Sequence, residues 1–275
     1  MVANHPNSFL DAILIAAHFK APVHFLARGD VFTKPWHNSL LRMLQMIPIY
    51  RMSEGKENLN RNEYAFNRAA ALLLQKQIVL IFIEGICLHT HTLQPFKKGA
   101  ARIADLVLRK QHPLLIMPVA ITYNSFTSFG KRVRIELGDP INAEQLMPYA
   151  AEAKNFQFFN EVLFQRIRSM IQMPHMITPR NRVLFALPAL VGYFLHLPLY
   201  TVIKNMVTLK TRGTVFYDSV LFGVLLLIYP IYLIFLTLLL LLFHVAWQIV
   251  FWLLLLHPIL AWSAVQYKIT RNNPL

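Results

Sequence analysis

His5 and Asp11 stand in Asn4-His5-Pro6-Asn7-Ser8-Phe9-Leu10-Asp11, at the start of a chain of 275 residues. A histidine can serve as a general base near neutral pH, and a carboxylate can fix its tautomer and stabilise the imidazolium that forms. Transfer of an acyl group to an alcohol needs such a base, because a neutral hydroxyl is a weak nucleophile. The pair cannot stack on one straight helix: six residues at about 100° each place them about 240° apart. The spacing therefore puts His5 in the turn before a helix, with Asp11 reaching back. Taken alone, the same residues also describe a helix cap beside an incidental histidine. Downstream, Phe82-Ile83-Glu84-Gly85 offers a second carboxylate and a glycine at the end of an apolar run.

Other residues invite chemistry. Arg51 ends Ile47-Pro48-Ile49-Tyr50-Arg51, and a guanidinium suits a phosphate because it donates two parallel hydrogen bonds. Lys97 and Lys98 lie in Gln94-Pro95-Phe96-Lys97-Lys98-Gly99-Ala100-Ala101-Arg102. Lys98, near a helix start, places backbone donors beside any bound anion. Cys87, His89 and His91 alternate, as metal ligands on an extended segment would, but no fourth ligand is evident. There is no Gly-x-Ser-x-Gly elbow, which disfavours a serine lipase.

The elements that must hold these groups alternate between helix and strand. Proline after His5 biases it toward extended backbone. Asn7 or Ser8 can cap a helix over 9–19. Residues 23–27, 78–83 and 114–123 read as strands, the last two as apolar runs covered on both faces, and 132–137 as an edge strand. Residues 36–46, 60–75 and 98–110 read as helices, with Ala65, Ala69, Leu72 and Leu73 near one face of the second; 143–173 reads as polar helix. The alternation predicts an α/β domain with a mostly parallel sheet flanked by helices. Sites in such sheets lie at the C-terminal ends of strands, where Tyr50-Arg51 and Glu84 both fall.

The motifs, in order, resemble the glycerolipid acyltransferase family of the PlsC type. The His5–Asp11 pair matches its first block, with five intervening residues where the family usually has four. Gly29-Asp30-Val31-Phe32 and Ile47–Arg51 resemble its second block, whose arginine binds the acceptor phosphate; that role falls on Arg51. Phe82–Gly85 resembles the third block, usually Phe-Pro-Glu-Gly, with Ile83 in place of proline. Ile86-Cys87-Leu88 stands where the family has Thr-Arg-Ser, so a second phosphate-binding arginine is absent and Lys97 and Lys98 are left to supply charge. Met117-Pro118-Val119-Ala120 resembles the fourth block. The resemblance covers residues 1–140. It implies His5 and Asp11 as catalytic residues, Arg51, Glu84, Gly85, Lys97 and Lys98 as substrate-binding residues, no metal and no cofactor. It further implies acyl-CoA or acyl-carrier protein as donor, and glycerol 3-phosphate or 1-acylglycerol 3-phosphate as acceptor. Family members usually carry a strand before the first motif, so that strand is expected to be missing here, from a shortened form or a mis-assigned start. Those departures motivate a rival reading, a catalytically decayed, lipid-binding membrane protein on the same fold.

Composition points to the membrane. Hydrophobic residues make up 56% of the chain, mean hydropathy is +0.43 and the net charge is +14. Between Glu161 and Asp218 there is no acid, whereas Arg166, Arg168, Arg180, Arg182, Lys204, Lys210 and Arg212 all fall there. Cations beside apolar runs favour anionic lipid, at about 1 kcal/mol each near the surface; no nucleic-acid motif accompanies them. The N-terminus has no signal-peptide pattern. The single cysteine excludes an internal disulfide and fits a reducing compartment. Residues 141–182 are expected as a helical extension. Val183–Ile203, interrupted by Pro188, Gly192, His196 and Pro198, is expected as an interfacial or re-entrant segment within 183–215. The uncharged run Ser219–Tyr267 is too long for one span and predicts a transmembrane helical hairpin over 216–267, with helices near 219–242 and 246–267, then a cytoplasmic tail at 268–275. The catalytic domain is expected on the cytoplasmic face.

Overall fold

The computed structural model describes residues 1–32, 35–50, 59–174 and 182–271. It divides into two compact units, one of residues 1–122 and 133–173, the other of 123–132 and 174–275.

The first unit is α/β. Its strands are β1 (Val2–Ala3), β2 (Val23–Arg28), β3 (Met46–Ile49), β4 (Ile78–Phe82), β5 (Leu115–Ile116), β6 (Pro118–Tyr123), β7 (Val133–Leu137) and β8 (Ile141–Asn142). Its helices are α1 (Ser8–Ala16), α2 (Pro35–Met43), α3 (Leu59–Leu74), α4 (Gly99–Leu108) and α5 (Glu152–Met170). The main sheet runs β3-β2-β4-β1-β6-β7, and β5 pairs with β8 separately. The β3–β2, β2–β4, β4–β1 and β1–β6 pairs are all parallel.

The expected missing strand is corrected: Val2–Ala3 occupies that place. Two residues suffice because β1 is paired on both sides, Val2 opposite Ile81 and Pro118, Ala3 opposite Phe82 and Val119. Both residues are buried. Asn4 extends the tie to β6. Its Nδ2 donates to Ile121 O at 2.9 Å and its Oδ1 accepts from Ile121 N at 2.8 Å.

Burial follows the sequence periodicity. On α3, Ala65, Ala69 and Leu72 are buried with Leu26, Ile47 and Val79 of the sheet. On α5, Phe156, Phe159, Leu163 and Ile167 recur at helical spacing and pack with Ala101, Ala104 and Val107 of α4. The apolar run at 114–123 is two strands, not one. It breaks at Met117: β5 leaves to pair with β8, and β6 alone lies in the main sheet, buried throughout.

The second unit contains α6 (Arg182–Thr211), α7 (Tyr217–Leu242) and α8 (Trp247–Arg271). The expected hairpin is present as α7 and α8. The re-entrant alternative for 183–215 is corrected, because α6 is one continuous helix with Pro188 and Pro198 inside it. Each proline removes one backbone donor, a loss that apolar helices tolerate when neighbours pack against them. Ile203 and Val207 of α6 are buried with Leu221 of α7. The three helices are long and apolar enough to cross a membrane. Within this unit Lys131 Nζ meets Asp218 Oδ1 at 2.5 Å, both side chains nearly buried.

Phe159 is fully buried in the α4–α5 cluster. Phe159→Ala is expected to cost about 3–5 kcal/mol, measured as lost hydrogen-exchange protection of β6 amides.

Candidate active site

The parallel sheet brings the ends of β1, β3 and β4 to one edge. Beyond β1 the chain turns through Asn4, His5 and Pro6 into α1. His5 Nδ1 lies 2.9 Å from Asp11 Oδ2, and the same oxygen accepts the Asn7 N–H at 2.7 Å. Asp11 thus reaches back from the first turn of α1, as the helical phase required. Asn7 occupies the cap position without a side-chain cap bond, so the cap is supplied by Asp11 instead. A carboxylate only accepts, which assigns the Nδ1 proton to His5 and leaves the lone pair on Nε2. Asp11 is fully buried and the His5 side chain 19% exposed. The orienting group is shielded from water while the base keeps access.

Phe82 fixes the ring from another direction. Its ring stacks on the imidazole with centroids 3.9 Å apart and planes 12° from parallel. With Asp11 at Nδ1 and Phe82 on its face, the imidazole is restrained in both rotation and tilt. Sequence reading quoted Phe82 only as a motif letter. Its role depends on β4 lying beside β1, with Ala3 opposite Phe82.

Glu84 follows β4 and is only 4% exposed. Burial pushes its carboxyl up to about 7; hydrogen bonds from the Gln94 and His5 backbone N–H groups pull against this, and the Asp11 charge adds to the rise. Glu84 thereby joins the His5 turn to the segment that carries Lys97. Gly85 has φ +62°, and a Cβ there would approach Lys97 Cγ to 3.0 Å, so both backbone and neighbour favour glycine. Lys97 N donates to Ile83 O at 2.8 Å, which lays its stem beside Gly85. His5, Asp11, Glu84, Gly85 and Lys97 are therefore brought together. Lys98 occupies the position before α4 and makes no side-chain cap bond.

Tyr50 marks the end of β3. Asn62 holds it by accepting its N–H and donating to its carbonyl, each at 2.6 Å, and its ring packs over Gly29. Arg51 lies outside the described residues. Asn4 and Asn62 had no role in the sequence reading. Each is a polar residue whose side-chain amide bonds both the N–H and the C=O of one residue, a pattern that exists only once the partner strand is known.

Among the described residues no three His, Cys, Asp or Glu side chains are placed to hold a metal, and Cys87, His89 and His91 do not form such a group. The Cys87 sulfur instead accepts the Ser8 N–H at 2.9 Å.

Glu84 sets a pH dependence of stability. Its folded pKa of about 7 exceeds the ordinary 4.5, so the folded chain binds the proton more tightly than the unfolded chain. This contribution is fully present below pH 4.5 and is lost as pH rises toward 7. Glu84→Gln is expected to flatten the stability profile in that window, read from thermal unfolding at stepped pH; an unchanged slope would remove Glu84 as its source.

Residues 1–122 match the family model described as Acyltransferase. No curated protein matches the chain. Among solved structures, the chain is similar to the crystal structure of the 1-acyl-sn-glycerophosphate (LPA) acyltransferase PlsC from Thermotoga maritima. The identity is 20% and the TM-score 0.41, with 63% of this chain and 66% of that chain covered. The family match covers the stretch that holds the ordered blocks around His5, Tyr50 and Glu84, so residues 1–122 are similar to the Acyltransferase family.

Proposed function

We propose that the chain is a membrane-bound O-acyltransferase of phospholipid synthesis that moves a fatty acyl group from acyl-CoA or acyl-carrier protein to glycerol 3-phosphate or its 1-acyl derivative. The observation that carries this reading is the His5–Asp11 dyad at 2.9 Å, at the sheet edge beside Glu84. His5 Nε2 takes the proton of the acceptor hydroxyl as its oxygen attacks the thioester carbonyl. Asp11 stabilises the imidazolium. The tetrahedral adduct expels the thiolate, which receives the proton from His5, and the ester is released. No covalent acyl-enzyme and no cofactor is required. Arg51, Lys97 and Lys98 bind the acceptor phosphate. Glu84 and Gly85 shape the floor of the site, Glu84 by holding the His5 and Gln94 backbones.

The decayed-domain alternative rests on Ile83 and Cys87. The dyad geometry and the stacked Phe82 favour catalysis over it. An acceptor panel with radiolabelled acyl donor and lipid readout decides between them. His5→Ala is expected to lose at least ~100-fold in rate, the scale of general-base catalysis, with folding and membrane association retained. Near-normal turnover in this variant would sink the mechanism.

We further propose that the catalytic unit faces the cytoplasm, where acyl thioesters are made, and that the cations near the helices bind anionic lipid. α6 packs near the middle of α7 and α8, through His196, Tyr229 and His257, which favours crossing over an interfacial position. Cysteines at Thr211 and Asn272, with Cys87 removed, should label from one side of sealed vesicles. Opposite labelling of Thr211 and Asn272 would overturn the hairpin.

A further inference from the structure

The helical unit carries a polar cluster that acyl transfer does not use. His196 lies near the middle of α6, Tyr229 near the middle of α7 and His257 near the middle of α8. Ionisable side chains in the centre of apolar helices are costly and mark function more often than packing.

The tautomers follow from the backbone. His196 Nδ1 lies 2.7 Å from Gly192 O, and His257 Nδ1 3.2 Å from Leu253 O. A carbonyl only accepts, so both Nδ1 atoms carry protons and both Nε2 atoms hold lone pairs. This is the arrangement that prepares histidine for a metal, the outer nitrogen fixed by a carbonyl and the inner one free to donate. His257 Nε2 is buried and has no hydrogen-bond partner. His196 Nε2 accepts from the Tyr229 hydroxyl at 3.0 Å.

The spacings fit one ion. Two imidazoles on a tetrahedral Zn²⁺, at Zn–N about 2.0–2.1 Å, have ring centres about 5 Å apart, and a nitrogen and an oxygen ligand lie about 3.3 Å apart. Here the imidazole centroids are 5.3 Å apart, and the His196 nitrogen and Tyr229 oxygen 3.0 Å. Among the described residues no third His, Cys, Asp or Glu completes the group; the oxygen beside His196 Nε2 is the Tyr229 phenol. Gly192 lets α6 approach closely: a Cβ there would meet Leu260 O of α8 at 2.1 Å.

We propose that His196, His257 and Tyr229 bind one divalent late transition-metal ion, Zn²⁺ or a chemical equivalent, between α6, α7 and α8. On binding, each imidazole Nε2 donates its lone pair. The Tyr229 O–H bond breaks, its oxygen bonds the metal, and the proton leaves to solvent. One phenolate reduces the dication to a net single charge, which limits the cost of holding it among apolar helices. The ion ties three helices together and takes no part in acyl transfer.

The test uses the full chain purified in detergent and titrated with Co²⁺, read by the intense visible absorption of tetrahedral cobalt, with Zn²⁺ competition and pH-stat titration of released protons. One tetrahedral equivalent is expected, with about one proton released near neutral pH. His196→Gln and His257→Gln should each lose more affinity than the ~10–100-fold that changes around a ligand shell cost. His18→Gln, at an exposed histidine outside the cluster, should leave the signal unchanged. Tyr229→Phe, which keeps the packing, guards against misfolded histidine variants; it should weaken binding and abolish the proton release. Absence of the tetrahedral signal in the folded full chain overturns the proposal, as does unchanged binding in His257→Gln, or unchanged affinity and proton release in Tyr229→Phe.

Discussion

The Asp11 carboxylate is the interaction on which the site depends. It is fully buried, and an isolated charge so placed would cost several kcal/mol even after relaxation. Its Oδ2 meets that cost by accepting from Asn7 N and His5 Nδ1. One atom therefore caps α1, closes the turn that follows β1 and chooses the tautomer of the base. Loss of any one of these would loosen the others. The chemistry is thus coupled to the start of a helix instead of resting on two independent side chains.

Around that atom the sheet supplies alignment. β1 lies between β4 and β6, so the segment after β1 emerges at the C-terminal edge between neighbours on both sides. β4 contributes Phe82 against the imidazole and Glu84 against the His5 backbone. β6 contributes the Ile121 N–H and C=O that hold the Asn4 side chain. Three consecutive residues, Ala3 to His5, are held by β4, β6 and α1 in turn. The backbone that carries the dyad is thus held by strand pairing and by the Asn4 bonds as well as by its own side chains.

Much of this was legible from periodicity and motif order. Helices α3 and α4, strands β2 and β4 and the α7–α8 pair fall close to their expected bounds, because long periodic or uniformly apolar segments leave few alternatives. The short elements were not legible. β1 and β5 have two residues each, too few for any period. β3 reads Met46-Ile47-Pro48-Ile49, which continues the apolar pattern of α2 and becomes a strand only by pairing with β2. Pro188 and Pro198 looked like interruptions because sequence rules price the lost backbone donor but not the packing that α7 and α8 offer α6. The bonds of Asn4 and the stacking of Phe82 join residues far apart in the chain, and local spacing carries no trace of them.

Ile83 is the departure from the family pattern that the structure explains. Its N–H donates to Ala3 O at 3.0 Å, and its carbonyl accepts from Lys97 N at 2.8 Å. A proline has no N–H and could not make the first bond. With isoleucine, pairing between β1 and β4 continues to the residue before Glu84. The side chain is 1% exposed and packs in the same core as Val2. A two-residue strand gains least from its own length and most from each added bond. The substitution therefore strengthens the sheet at the point where it holds the His5 turn. Cys87 is a change of another kind. It exchanges a cation for a sulfur that accepts the Ser8 N–H, so it supports the start of α1 while giving up positive charge. The first departure adds a bond beside the His5 turn, and the second ties the start of α1 to the segment after Gly85.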